Sequence, residues 1–117
     1  MTANAINLKL IGYTTLMRLW LLGNTQSGRY DLTLDLGQNP PNGAHVIRAV
    51  FLGVHGLSLH DIGGGVTQFL CLRVEDIGAY QLDRIRLRVR DLERGNIMFD
   101  CLSASIGDAA SSDEDTT

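Results

Sequence analysis

Four arginines recur at every second position in Leu82-Asp-Arg-Ile-Arg-Leu-Arg-Val-Arg90, and their type and spacing suggest recognition of negative charge. A strand turns alternate residues to one side. Arg84, Arg86, Arg88 and Arg90 would therefore project four guanidinium groups along about 20 Å. Such a stripe suits an acidic protein surface or a phosphate backbone. The default reading is a solvated face, balanced by Asp83, Asp91, Glu93 or a cross-strand acid such as Glu75. Nine of the ten bases are arginine, so arginine is this chain's ordinary base. No aromatic residue interleaves the row, as a stacking platform for nucleic acid would require. The row stands as the candidate partner-binding surface.

Other clusters carry less chemistry. The stretch His60-Asp-Ile-Gly-Gly-Gly-Val-Thr-Gln-Phe69 looks like a phosphate cradle. A P-loop needs Lys and Ser or Thr after its last glycine, then a helix, whereas Gly65 is followed by Val66-Thr67-Gln68-Phe69. A dinucleotide fingerprint fails on glycine spacing. The glycines are expected to form a hairpin turn. His55 and His60 are separated by an odd number of residues, which puts them on opposite faces of one strand. His45 begins another strand, so no metal site is expected. No nucleophile, base and orienter share a local signature, so no catalytic residue and no cofactor is expected. Cys71 and Cys101 follow Phe69 and Phe99 at the same offset and are read as buried thiols. A disulfide would require their strands to be neighbours.

The elements that would carry these residues are strands. Apolar residues alternate in Ile6-Asn-Leu-Lys-Leu10, in Tyr30 to Leu36, in the arginine segment through Ile85, Leu87 and Val89, and in Asn96 to Cys101. Val46 to Leu52 and Val66 to Val74 are apolar on both faces, which suits central strands. Thr15 to Leu22 is compatible with a helical face through Leu16, Leu19 and Trp20, and Thr14-Thr15 favours a strand, the reading adopted. Turn signals at Gly12, 23–28, 37–43, Gly53, Gly56, 63–65, Gly78 and 93–96 divide the runs regularly. The expected fold is all-β: an antiparallel meander of about eight strands forming a sandwich or an open barrel, without a helix of ten residues or more.

Composition bounds the rest. The chain has 117 residues, 44% hydrophobic and 20% charged, as one globular domain would. The most apolar run, Leu16 to Leu22, is interrupted by Arg18 and is far short of the roughly 20 residues that span a bilayer. The start MTANAINLKL lacks the pattern of a secretory signal, and a cytoplasmic protein is expected. The net charge of −3 is concentrated at the end, where Asp108, Asp113, Glu114 and Asp115 lie in GDAASSDEDTT. Residues 1–107 are expected to form the domain, and 108–117 a disordered acidic tail.

The order from Val46 to Ile106 resembles a known group. An apolar strand carries Phe51, Val54, Leu57 and Leu59, an acidic-glycine turn follows, and a final strand ends in Phe99 and Cys101. This looks like the small immunity proteins, and related domains, encoded beside bacterial polymorphic toxins. The resemblance implies a non-catalytic binding protein that neutralises a toxin by forming a complex with it. It carries no functional residue across. The alternative is a β-barrel module that binds an anionic ligand or nucleic acid along the arginine row. The nearly neutral body disfavours tight phosphate binding.

Overall fold

The computed structural model describes residues 2–38, 45–65, 67, 72–78, 86–93 and 95–109. Among these residues one helix, α1 (Ala3–Leu10), precedes seven strands: β1 (Thr15–Asn24), β2 (Arg29–Gly37), β3 (Val46–Leu59), β4 (Leu72–Asp76), β5 (Leu87–Asp91), β6 (Ile97–Cys101) and β7 (Ser103–Asp108). All pairings are antiparallel. The strand order is β1-β2-β3-β6-β5-β4, with β7 also on β3. The all-β expectation holds, and the sheet is open, with β1 and β4 at its two ends. Residues 15–22 are strand, as the threonines suggested.

The molecule is two three-stranded meanders, β1-β2-β3 and β4-β5-β6, joined where β3 meets β6. β3 is long enough to serve both. Its first part pairs with β2 on one side, from Gly37↔Val46 to Tyr30↔Val54, and with β7 on the other, from Ile47↔Asp108 to Leu52↔Ser103. Its second part pairs with β6 through His55↔Asp100 and Leu59↔Ile97. Only Leu102 separates β6 from β7, so together they run beside β3 as one bent ribbon. The bend is built at Gly53, whose φ is +66°. A Cβ there would lie 2.7 Å from Leu102 Cδ1, so both backbone angle and space demand glycine. The Gly53 N–H donates to Asp31 Oδ1 at 3.1 Å, and the Leu102 N–H donates to Leu52 O at 2.9 Å.

The alternating residues face one core. Leu32, Leu34 and Leu36 meet Ile47, Ala49 and Phe51 from one half of the sheet. Val74, Val89, Ile97, Phe99 and Cys101 come from the other half. Phe51 and Phe99 join the halves edge to face, with ring centroids 4.9 Å apart. Cys101 is buried as expected; Cys71 lies outside the described residues. Burial, then the charge of Asp100, pushes the Cys101 thiol pKa up to about 12.

Four expectations are corrected. Ile6 to Leu10 is a helix, because Ile6 and Leu10, four apart, also share a helical face; both are buried while Leu8 is exposed. Thr2 caps the helix, its Oγ1 accepting from the Ala5 N–H at 3.2 Å. Ser103–Asp108, not foreseen as a strand, is β7. It carries Asp108 into the sheet, and Ala109 is buried, so the domain runs past residue 107. Residues 110–117 lie outside the described residues. Finally, β6 and β5 lie between β3 and β4. β3 and β4 are therefore not hairpin partners; residues 66 and 68–71, which follow the exposed glycines 63–65, lie outside the described residues.

The helix also finishes one end of the sheet. The Asn7 side chain lies beside β4, its Nδ2 donating to Val74 O and its Oδ1 accepting from the Val74 N–H, both at 2.8 Å. One amide thus replaces the two bonds that another strand would make at Val74.

Candidate functional site

The outward face of the β4-β5-β6 half carries the expected row in altered form. Arg84 lies outside the described residues. Arg86 precedes β5: its N–H donates to Cys101 O at 3.0 Å and its carbonyl accepts from the Ile77 N–H at 2.8 Å. Its side chain is exposed. Arg88 and Arg90 point outward from β5, opposite the buried Leu87, Val89 and Asp91.

Neighbouring strands interleave acids with these bases. Arg88 faces Glu75 on β4 and Asp100 on β6, and Arg90 faces Arg73 and Met98. Arg88 grips Asp100 with two bonds, Nε to Oδ1 at 2.9 Å and Nη2 to Oδ2 at 3.3 Å. The hydrogen bond and charge of Asp100 hold the Arg88 pKa above its usual value. Arg90 reaches diagonally to Glu75, with both Nε and Nη2 at 2.9 Å from Oε1. His55 stands across from Asp100 on β3. The result is a checkerboard of fixed charges, with the half-exposed Met98 among them. The balancing acid Glu75 was legible in the sequence. Asp100 was not, because its position opposite Arg88 depends on the β5–β6 register.

A second pair on the outer side of the β1-β2-β3-β7 half escaped the sequence reading. Arg48 Nε and Nη2 donate to Asp35 Oδ1 and Oδ2 at 2.8 and 3.0 Å. The side chains are only 17% and 4% exposed. The Trp20 ring covers the guanidinium, 4.9 Å from its centroid. No spacing rule predicts this trio; it exists because Asp35 and Arg48 are register partners and Trp20 lies one strand away.

The histidines do not converge. Ser58 Oγ and His60 Nε2 are 3.0 Å apart on the surface, as residues two apart on a strand can be. The His60 carbonyl accepts from Asn96 Nδ2 at 3.0 Å. His45 Nδ1 bonds the Tyr13 hydroxyl, and its Nε2 lies 3.8 Å from Asp108 Oδ1. This ties the segment after α1 to the ends of β3 and β7, from positions too distant in sequence to be associated by spacing. Among the described residues no three His, Cys, Asp or Glu side chains gather as metal ligands. No helix among them is long and apolar enough to cross a membrane.

No family model, no curated protein and no solved structure is similar to this chain. The geometry must therefore carry the functional argument. What it offers is two faces of cross-strand ion pairs, one exposed and one covered by tryptophan.

Proposed function

We propose that this chain is a non-catalytic binding protein, a bacterial immunity protein that neutralises a toxin in the cytoplasm by direct complex formation. The observation that carries the protein-binding part is the checkerboard of Arg73, Glu75, Arg88, Arg90 and Asp100. Arg88 and Arg90 are held in place by carboxylates before any partner arrives, so less of their side-chain freedom is lost on binding. Arginine forks also match protein carboxylates and pack over apolar surface. The toxin-neutralising part rests on the resemblance of residues 46–106 to immunity proteins.

The same lattice weighs against an extended polyanion. A phosphate backbone laid along Arg88 and Arg90 would meet Glu75 and Asp100 at every step, whereas tight phosphate binding needs several uncompensated bases. Arg73 and Arg86, which form no ion pair among the described residues, remain the cations most accessible to acids of a protein partner.

The direct test is co-expression with the product of the adjacent reading frame. Protection from its toxicity and a co-purifying complex are expected. Changing Arg73 and Arg86 together to Ser should weaken that complex while leaving the thermal midpoint within a degree or two. A partner that binds both forms equally would move the interface off this face, and absence of any complex would overturn the reading.

A further inference from the structure

The outward residues of the β4-β5-β6 half form two lines across the strands, and the lines differ in charge. One runs Glu75, Arg88, Asp100 and His55, each the register partner of the next. Its acids alternate with Arg88, so charge is balanced within it. The other runs Arg73, Arg90, Met98 and Ser58. Here two arginines stand side by side with no acid in the line. Glu75 serves Arg90 from the neighbouring line, and no acid among the described residues pairs with Arg73. Like charges directly opposite each other on adjacent strands are destabilising. Negative charge brought between them removes that cost.

Backbone geometry sets how close the two arginines stand. The N–H and C=O of Val74 are turned toward Asn7, and bonding directions alternate along an antiparallel strand. Arg73 therefore exchanges its backbone bonds with Arg90, in the kind of pair whose Cα atoms lie about 5.5 Å apart. Both side chains leave the same face of the sheet, and both are exposed. Arg90 places Nε and Nη2 on one oxygen of Glu75, each at 2.9 Å. A guanidinium carries N–H donors on all three nitrogens, so the Nη1 end is left for another acceptor. Next in the line is Met98, 45% exposed, a flexible thioether that adapts to an apolar surface.

We propose that Arg73 and Arg90 together seat one carboxylate of a protein partner, while an apolar side chain of the same partner segment rests on Met98. The seat rests on the protein-binding part of the function proposed above, and not on the toxin. A carboxylate has two oxygens and takes a guanidinium on each, so a single acid spans both arginines. Adjacent strands lie about 4.8 Å apart, which puts Met98 one such step beyond Arg90. Acidic and apolar side chains three or four positions apart on a helix are separated by about 5–6 Å. A partner helix with that spacing covers the arginines and Met98 at once. Phosphate fits less well, because its larger charge would lie beside Glu75. The same Glu75 also weakens the seat for a carboxylate, by repelling it and by holding Arg90.

The blocked dipeptide acetyl-Leu-Glu-amide supplies the probe, titrated into the wild-type chain at constant ionic strength while the arginine Nε–H resonances are followed. Saturable shifts at Arg73 and Arg90 are expected in the millimolar range, with smaller ones at Arg86 and none with acetyl-Leu-Gln-amide. Arg73→Gln should weaken binding about fivefold or more, and Glu75→Gln should tighten it about twofold or more. Neither residue is buried, so both variants should keep a thermal midpoint within about a degree or two of the wild type. Inorganic phosphate in place of the dipeptide should bind more weakly. No saturable shift, an affinity indifferent to Arg73→Gln, weaker binding by Glu75→Gln, or tighter binding of phosphate would overturn the proposal. The dipeptide needs no toxin, so absence of the seat and absence of a complex on co-expression are separate results.

Discussion

The two halves of the sheet each carry arginine–carboxylate pairs between adjacent strands, yet they hold them in opposite surroundings. Asp35 and Arg48 are nearly out of water beneath Trp20, whereas Arg88–Asp100 and Arg90–Glu75 lie on an open face. A pair removed from solvent loses hydration that its mutual attraction only partly offsets, so its members depend on each other. An exposed pair stays hydrated, and either partner can be lost cheaply. The same two-bond geometry therefore has different consequences: the covered pair ties β2 to β3, and the open pairs leave ordered charge on the surface.

Removing one member of the covered pair should have the largest effect. Asp35→Ala leaves the Arg48 guanidinium beneath Trp20 without its carboxylate and should cost about 3–5 kcal/mol in denaturant unfolding. Replacing both partners, Asp35→Leu with Arg48→Met, should recover most of that loss. If the single substitution costs no more than the exposed ones, the distinction between the faces fails. Taking away only the lid, Trp20→Ala, should cost about 1–2 kcal/mol, through lost cation–π contact and greater hydration of the pair. Unchanged stability would show that the ring contributes nothing to it.

Smaller effects belong to the open face. Asp100→Ala, which strips Arg88 of both its bonds, should cost about 1 kcal/mol, and Glu75→Ala should fall near the bottom of the roughly 0–1 kcal/mol range for exposed pairs. Moderate salt should erase most of both differences while leaving the Asp35→Ala loss largely intact, since exposed charges are screened far more than covered ones. A salt-insensitive Glu75→Ala effect would place that pair with the covered one.

What the sequence disclosed follows from period two. The inward sets of β2, β5 and β6 were readable because apolar residues recur at every second position, Leu32, Leu34 and Leu36, then Leu87 and Val89, then Ile97, Phe99 and Cys101, and all the residues between them but Met98 are polar. Ile6, Leu8 and Leu10 show the same alternation within a helix, since five residues satisfy both periods and only the cap at Thr2 separates them. β7 was hidden because Ser103-Ala-Ser-Ile-Gly-Asp108 has too little apolar content to signal a strand; it is held by pairing with β3 and by Ala104 in the core. Of the arginine row, the outward direction of Arg88 and Arg90 was legible, and so was Glu75 as a balancing acid. The partners that neutralise or cover a charge, Asp100 for Arg88 and Trp20 for Arg48, depend on register between distant strands, which no local pattern encodes.

The bent ribbon has a consequence for how the chain reaches this state. Leu32, Leu34 and Leu36 can meet Ile47, Ala49 and Phe51 as soon as the first meander closes, because those contacts are short in sequence. The other edge of β3 must wait for β7, with Ile47 pairing only when Asp108 has been made. Contacts so distant raise the entropy that must be lost before they form, and they slow the final step. During that interval the apolar β3 offers an unpaired edge to other chains. Synthesis from the N-terminus leaves that edge of β3 open until β7 emerges, so the short, polar β7 acts as the closing strip of an assembly that is most adhesive just before it is complete.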